Sequence, residues 1–233
     1  HFKERAKNET FEGVPVRVAT PGFGYGTDGP MTIACNLFGP DVFCFMMAAE
    51  PERALKLLKF ITDATINRMQ QWRKREGLPE RTEGMWIADD SIALISTPMY
   101  REMVMPLHRM LYETFGTEKP GGIHLCGDAT RHMKTIHEEL NVGHFDTGFP
   151  VDFGWLRDEL GPEVGIQGGP HVEIVRSGSR QQVVEESKRI LESGVLKGGL
   201  FVLREGNNLA PGTPLENCEA LYDAAKQFGF QSN

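Results

Sequence analysis

The chain has 233 residues, enough for one large α/β domain with a sizeable core. Its 25 Lys+Arg against 32 Asp+Glu give a net charge of −7, so no basic surplus draws it to nucleic acid or an anionic membrane, and a small-molecule or protein partner is expected. Four cysteines, Cys35, Cys44, Cys126 and Cys218, show neither C-x-x-C pairing nor framework spacing, which suits a reducing, cytoplasmic compartment. No run approaches the roughly 18 apolar residues of a membrane helix. The chain begins at His1 rather than Met, and the residues up to Thr10 are charged rather than signal-like.

Strand and helix signals alternate along the whole chain, the pattern of βαβ units around a parallel sheet. Six strands are expected: Pro15 to Ala19, Met85 to Ala88, Gly122 to Leu125, His144 to Thr147, Val164 to Gln167 and Leu200 to Leu203. Most are short and apolar, as strands covered on both faces are. Between them, Pro51 opens a long amphipathic helix through Ala54, Leu58, Ile61, Thr65, Met69 and Trp72. Thr97 is expected to cap the next, with Pro98 at its first position and Pro106 kinking it. Ser179 caps a helix that Gly194 closes, and a last helix runs from about Pro214 to Lys226. This pattern fits an open doubly wound sheet or most of an eight-stranded barrel. No G-x-G-x-x-G opens a helix after the first strand, because Gly22-Phe23-Gly24-Tyr25-Gly26 runs into Thr27-Asp28-Gly29-Pro30, which disfavours dinucleotide binding.

The sharpest local feature is Gly122-Ile123-His124-Leu125-Cys126-Gly127-Asp128. Spacing of two on a strand puts His124 and Cys126 on one face, where they could share a zinc ion, although a buried Cys beside a satisfied His also explains the pair. Asp89 and Asp90 follow one strand, and Arg204-Glu205-Gly206-Asn207-Asn208 follows another. N-capping competes with a chemical role for the aspartates, and pairing with Arg204 or Arg17 competes for Glu205. Asp146 has a better claim to a site than Asp152. His171 follows Gly168-Gly169, glycines that suit either close ligand approach or a turn. His108, His132 and His137 fall on helices, where solvated or core-edge roles are expected.

Several motifs in order resemble one family: Gly29-Pro30-Met31-Thr32, Pro51-Glu52-Arg53, Asp89-Asp90-Ser91, Tyr100-Arg101-Glu102, His124-Leu125-Cys126-Gly127-Asp128, Gln167-Gly168-Gly169 and Leu209-Ala210-Pro211-Gly212. The set resembles the uroporphyrinogen decarboxylase (URO-D) superfamily over roughly residues 29 to 228, closest to its corrinoid-dependent branch, the methylcobamide:coenzyme M methyltransferase-like proteins. The resemblance implies a (β/α)8 TIM barrel forming one domain over residues 1–233, lacking its N-terminal one or two βα units in this chain, with an open edge on the first strand. It implies methyl transfer between a corrinoid (a corrinoid protein or free methylcobalamin) and a small acceptor such as a thiol or pterin. Zinc would sit on His124 and Cys126, with Asp89, Asp90 and Glu205 as catalytic groups and Asp146, Gln167, Gly168, His171 and Asn207 as substrate contacts. One departure is chemical. The branch's distant zinc-binding Cys corresponds here to Asn207, leaving the site incomplete unless Glu205 or another mouth carboxylate substitutes. Two alternatives remain: a tetrapyrrole decarboxylase, for which Arg17, Arg101 and Arg204 are few cations, and a non-catalytic corrinoid-binding barrel. The barrel requires the strand ends bearing Asp89, His124, Asp146, Gln167 and Glu205 to meet in one cavity.

Overall fold

Met85 and Ile87 in one run, and Ile123 and Leu125 in another, fall at every second position, so each pair shares one strand face that must be buried by helices. The computed structural model describes residues 2–18 and 26–230. After α1 (Phe2–Ala6), β1 (Thr10–Phe11) and β2 (Val14–Pro15) form an exposed antiparallel hairpin. Then come β3 (Gly26–Asp28), α2 (Pro30–Phe38), α3 (Pro40–Ala49) and α4 (Pro51–Glu76). Next follow β4 (Trp86–Ala88), a 3-10 turn over Asp90–Leu94, α5 (Thr97–Met99), a π turn over Tyr100–Val104 and α6 (Met105–Phe115). The rest is β5 (Gly121–Leu125), α7 (Thr130–Leu140), β6 (Val142–Thr147), α8 (Phe153–Leu160), β7 (Gly165–Gly168), α9 (Val172–Ser177), α10 (Arg180–Ile190), β8 (Phe201–Leu203) and α11 (Leu215–Phe228).

Strands β3 to β8 pair in chain order, all parallel, into a six-stranded sheet, the α/β arrangement of a TIM-barrel-like fold. The ring is open between β3 and β8 among the described residues. The outward face, with Ile87, Ile123, Leu125, Phe145 and Ile166, is buried under the helices. Among the described residues no single helix is long and apolar enough to cross a membrane. Pro30–Phe38 and Pro40–Ala49 meet that test only as a pair, bent by 111°.

The first sheet strand is not the expected Pro15 to Ala19. Glu12 and Gly13 both adopt positive φ (49° and 81°), which suits a tight two-residue turn and commits Val14–Pro15 to the hairpin. Ala19 lies outside the described residues. The strand that opens the sheet is Gly-Thr-Asp, whose residues give little β signal, and among the described residues its outer edge has no partner strand, an open edge expected instead on Pro15 to Ala19. Ser96, not Thr97, caps α5, accepting from the Met99 amide at 3.4 Å. The π turn precedes Pro106, which has no N–H to give to the preceding turn. Ser179 forms the full capping box with Gln182, and Gly194 (φ 97°) ends that helical run.

Two rows of inward-facing residues cross the sheet. The lower, Gly26–Trp86–Gly122–His144–Gly165, alternates glycine with a large ring. A Cβ on Gly122 would lie 2.4 Å from the Trp86 indole, and one on Gly165 2.4 Å from the His144 imidazole. Rings from alternate strands therefore fill space that glycines on their neighbours leave, the layered filling of a barrel interior. The upper row is Asp28–Ala88–His124–Asp146–Gln167–Val202, at or near the carboxyl ends of the strands.

This packing makes Gly122→Ala costly: overpacking against Trp86 should remove about 1–3 kcal/mol of stability in urea denaturation. Combined with Trp86→Ala, the loss should fall short of the sum of the single losses by about 1 kcal/mol. Strict additivity would show that the indole does not occupy the space above Gly122.

Candidate functional site

The upper row is where polar side chains collect. His124 is the penultimate residue of β5, with its Nδ1 2.9 Å from Asp146 Oδ2 on β6 and its Nε2 3.0 Å from Cys126 Sγ. Asp90 enters from the loop after β4. Its Oδ1 accepts the Cys126 amide N–H at 2.6 Å and lies 3.8 Å from His124 Nε2. Ligand atoms of Asp90, His124 and Cys126 all lie within 4.8 Å of one another, all three residues being half-buried. One carboxylate, one imidazole and one thiol meeting at that spacing fit a zinc ion with a fourth position open. The partner on the imidazole's other nitrogen fixes ring orientation, as carboxylates behind metal-binding histidines do.

Asp146 is held in turn. Arg204 Nη1 lies 3.0 Å from Asp146 Oδ2, while its Nη2 lies 2.6 Å from Glu205 Oε1 and also donates to the Asn207 carbonyl. In the metal-free protein the Asp146 and Cys126 hydrogen bonds outweigh burial and raise the His124 pKa to about 10. Asp28, at the β3 end of the row, lines with His124 and Arg68 an open cavity of about 460 Å³. Burial, then the charges of Asp89 and Asp90, hold its carboxyl above the usual carboxylate range.

Of the residues singled out in the sequence, the structure brings His124, Cys126, Asp90, Asp146 and Gln167 to this mouth. Glu205 is near it but bonded to Arg204, and the carboxylate beside His124 and Cys126 is Asp90. Asn207 contributes its carbonyl to Arg204. Asp89 is fully buried, accepting the amides of Met31 and Thr32 at the start of α2, which is capping, though of a distant helix. Gly168 packs against Thr147 and Phe153. What approaches Gly169 is the chain's own backbone, because a Cβ there would lie 1.8 Å from the Arg204 carbonyl. His171 caps α9 through the Glu173 amide and stacks on Phe149, away from the row, and Asp152 caps α8. His108 and His132 are not at the core's edge but fully buried. His108 bonds Asp89, and burial lowers the pKa of His132 to about 4. Asp28 escaped the sequence reading, although its place directly before Gly29-Pro30-Met31-Thr32 was the available signal.

The family model described as "Uroporphyrinogen decarboxylase (URO-D)" matches residues 14–228. A "Methylated-thiol--coenzyme M methyltransferase" of Methanosarcina mazei is 26% identical over 205 residues, covering 85% of this chain and 51% of that protein. "Methylcobamide:CoM methyltransferase MtbA" of Methanosarcina acetivorans is 25% identical over 141 residues, covering 60% and 40%. A "Uroporphyrinogen decarboxylase" of Geobacter metallireducens is 25% identical over 208 residues, covering 86% and 58%. Among solved structures, a methyltransferase from Methanosarcina mazei aligns with a TM-score of 0.66 at 21% identity, covering 88% of this chain and 58% of that one, a likeness of fold. The chain thus spans about half the length of the curated relatives it matches.

The raised His124 pKa has a signed consequence. Its folded value of about 10 exceeds the unfolded value near 6.5, so the protonated imidazole's contribution is complete below about pH 6.5 and is lost as pH rises through 10. Chelated protein should therefore lose stability between those limits in denaturant titrations. Asp146→Asn, which removes the first cause, should flatten the profile there. A mutant profile as steep as the parent's would show that Asp146 is not what holds the proton.

Proposed function

Because this chain belongs to the uroporphyrinogen decarboxylase family, we propose that it is a methyltransferase of that family, moving a methyl group between a corrinoid and a small acceptor at a zinc site made by Asp90, His124 and Cys126. The observation that carries this reading is the meeting of those three donors at the carboxyl ends of the strands, with Asp146 behind the histidine. Asp90 takes the place we expected of Glu205, and it answers the absence of a thiol at Asn207: the set is completed by a carboxylate rather than a second cysteine.

Zinc bound there supplies Lewis acidity that lowers the pKa of an acceptor thiol and so raises the fraction present as nucleophile. His124 presents Nε2 while Asp146 engages Nδ1, so the ring arrives in a single orientation. Arg204 pairs with both Asp146 and Glu205, so the two carboxylates are held in place at the edge of the mouth. Asp28 and Gln167 flank His124 and Asp146 in the row. There they can orient the acceptor or, at Asp28, take up its proton. The methyl donor, a corrinoid protein or free methylcobalamin, would approach over the strand ends, and the free Cys126 thiol agrees with a cytoplasmic setting.

Decarboxylation of a porphyrinogen-like substrate fits less well, since it needs free cations for several carboxylates. Arg101 pairs with Glu139 at 2.8 Å, and Arg204 is committed to Asp146 and Glu205. The test is zinc content after dialysis against a chelator, together with thiol-dependent demethylation of methylcobalamin. The parent should retain zinc partially and turn over. Cys126→Ser should abolish both, and Asp90→Asn should lower zinc affinity by about 10-fold or more. Asn207→Cys should raise retention, since a thiolate adds both charge and a soft donor. Full turnover by Cys126→Ser would overturn the metal-based reading.

A further inference from the structure

Asp89, His108 and Tyr100 form a hydrogen-bonded chain in which all three side chains are fully buried. His108 Nε2 lies 2.7 Å from Asp89 Oδ2, and His108 Nδ1 lies 3.1 Å from the Tyr100 hydroxyl. None of the three lines the mouth, yet the chain ends one residue from Asp90. We propose that His108 is a positioning residue: acting through Asp89, it holds the loop 89–91 against the start of α2 and so fixes the carboxylate corner of the Asp90–His124–Cys126 cluster. This rests on the metal-site reading above.

The constraint can be followed bond by bond. Asp89 Oδ1 accepts the Thr32 amide at 2.6 Å, and Oδ2 accepts the Met31 amide at 3.3 Å as well as His108. Thr32 answers in the other direction, its Oγ1 accepting the Ser91 amide at 3.1 Å. Asp90 is therefore bracketed by two residues that are each tied to the same turn of α2. From that position its Oδ1 reaches the Cys126 amide on the next strand end. The Asp89 backbone is tied to that strand too, its N–H donating to the His124 carbonyl at 3.2 Å.

A helix anchor alone would need only Asp89 and the two amides. The buried imidazole adds a donor that selects one carboxylate rotamer, and Tyr100 fills the second ring nitrogen so that neither is left unpaired. The approach is close enough that a Cβ on Gly29 would lie 2.3 Å from the Asp89 carboxyl group, so Gly29 is required for the loop to seat. A buried histidine with no catalytic contact is accounted for by this role.

Cobalt(II), used in place of zinc, gives an absorption spectrum that reports ligand geometry independently of turnover. The parent should show a thiolate-to-cobalt band that disappears in Cys126→Ser. His108→Leu should weaken cobalt affinity about 10-fold and shift the visible bands in the direction seen in Asp90→Asn. His108→Gln, whose amide can still donate to Asp89, should recover affinity to within about 3-fold of the parent. Leu156→Ala, a buried core change on α8, controls for lost stability and should leave the spectrum unchanged. If His108→Leu does not fold, Tyr100→Phe removes one hydroxyl and should still weaken binding by about 3-fold. A parent lacking the Cys126-dependent band overturns the metal reading and this inference with it. A parent with the band, but with His108→Leu or Tyr100→Phe at parental affinity and spectrum, overturns the inference alone.

Discussion

The contact between His124 and Asp146 is the interaction on which the rest of the site depends. It crosses the β5–β6 ladder, where parallel register sets the two residues side by side, and it decides which imidazole nitrogen faces Cys126 and Asp90. The same carboxylate oxygen is engaged by Arg204 at the end of β8, so one group ties together the ends of three strands. A half-buried carboxylate oxygen engaged by both His124 and Arg204 is held in one orientation, which is what a fixed histidine requires.

Beneath that row the sheet is held by shape rather than charge. Trp86 and His144 occupy the space that Gly122 and Gly165 leave open, and this alternation sets the level at which the polar row begins. Behind the mouth, backbone hydrogen bonds join the chain around the ends of β7 and β8. The Arg204 amide donates to the Gly168 carbonyl and the Gly206 amide to the Pro170 carbonyl. The glycines there serve the approach of one strand end to another, which fixes where Arg204 can stand and hence where Asp146 points.

Two adjacent aspartates illustrate how a strand end divides labour. Asp89 turns inward, is fully buried and spends its oxygens on α2 and His108. Asp90, one residue later, turns to the mouth and meets Cys126 and His124. The pair shares one loop, so the stiffness of the buried member is passed to the exposed one through the backbone.

By itself the sequence determined the alternating α/β order, five of the six sheet strands, the long helix from Pro51 and the capped helix after Ser179, because these follow from local periodicity and capping chemistry. It also placed His124 and Cys126 on one face, since spacing of two on a strand is a local fact. It did not identify Gly26–Asp28 as a strand, because pairing with β4 rather than propensity makes it one. Nor did it choose among the carboxylates. Asp90, Asp146 and Glu205 all sit at or just past strand ends, and only the register of neighbouring strands, the pairing of Arg204 and the burial of Asp89 decide which oxygen reaches the histidine. Those are distances between segments 20 to 60 residues apart in the chain, and they exist only once the sheet has formed.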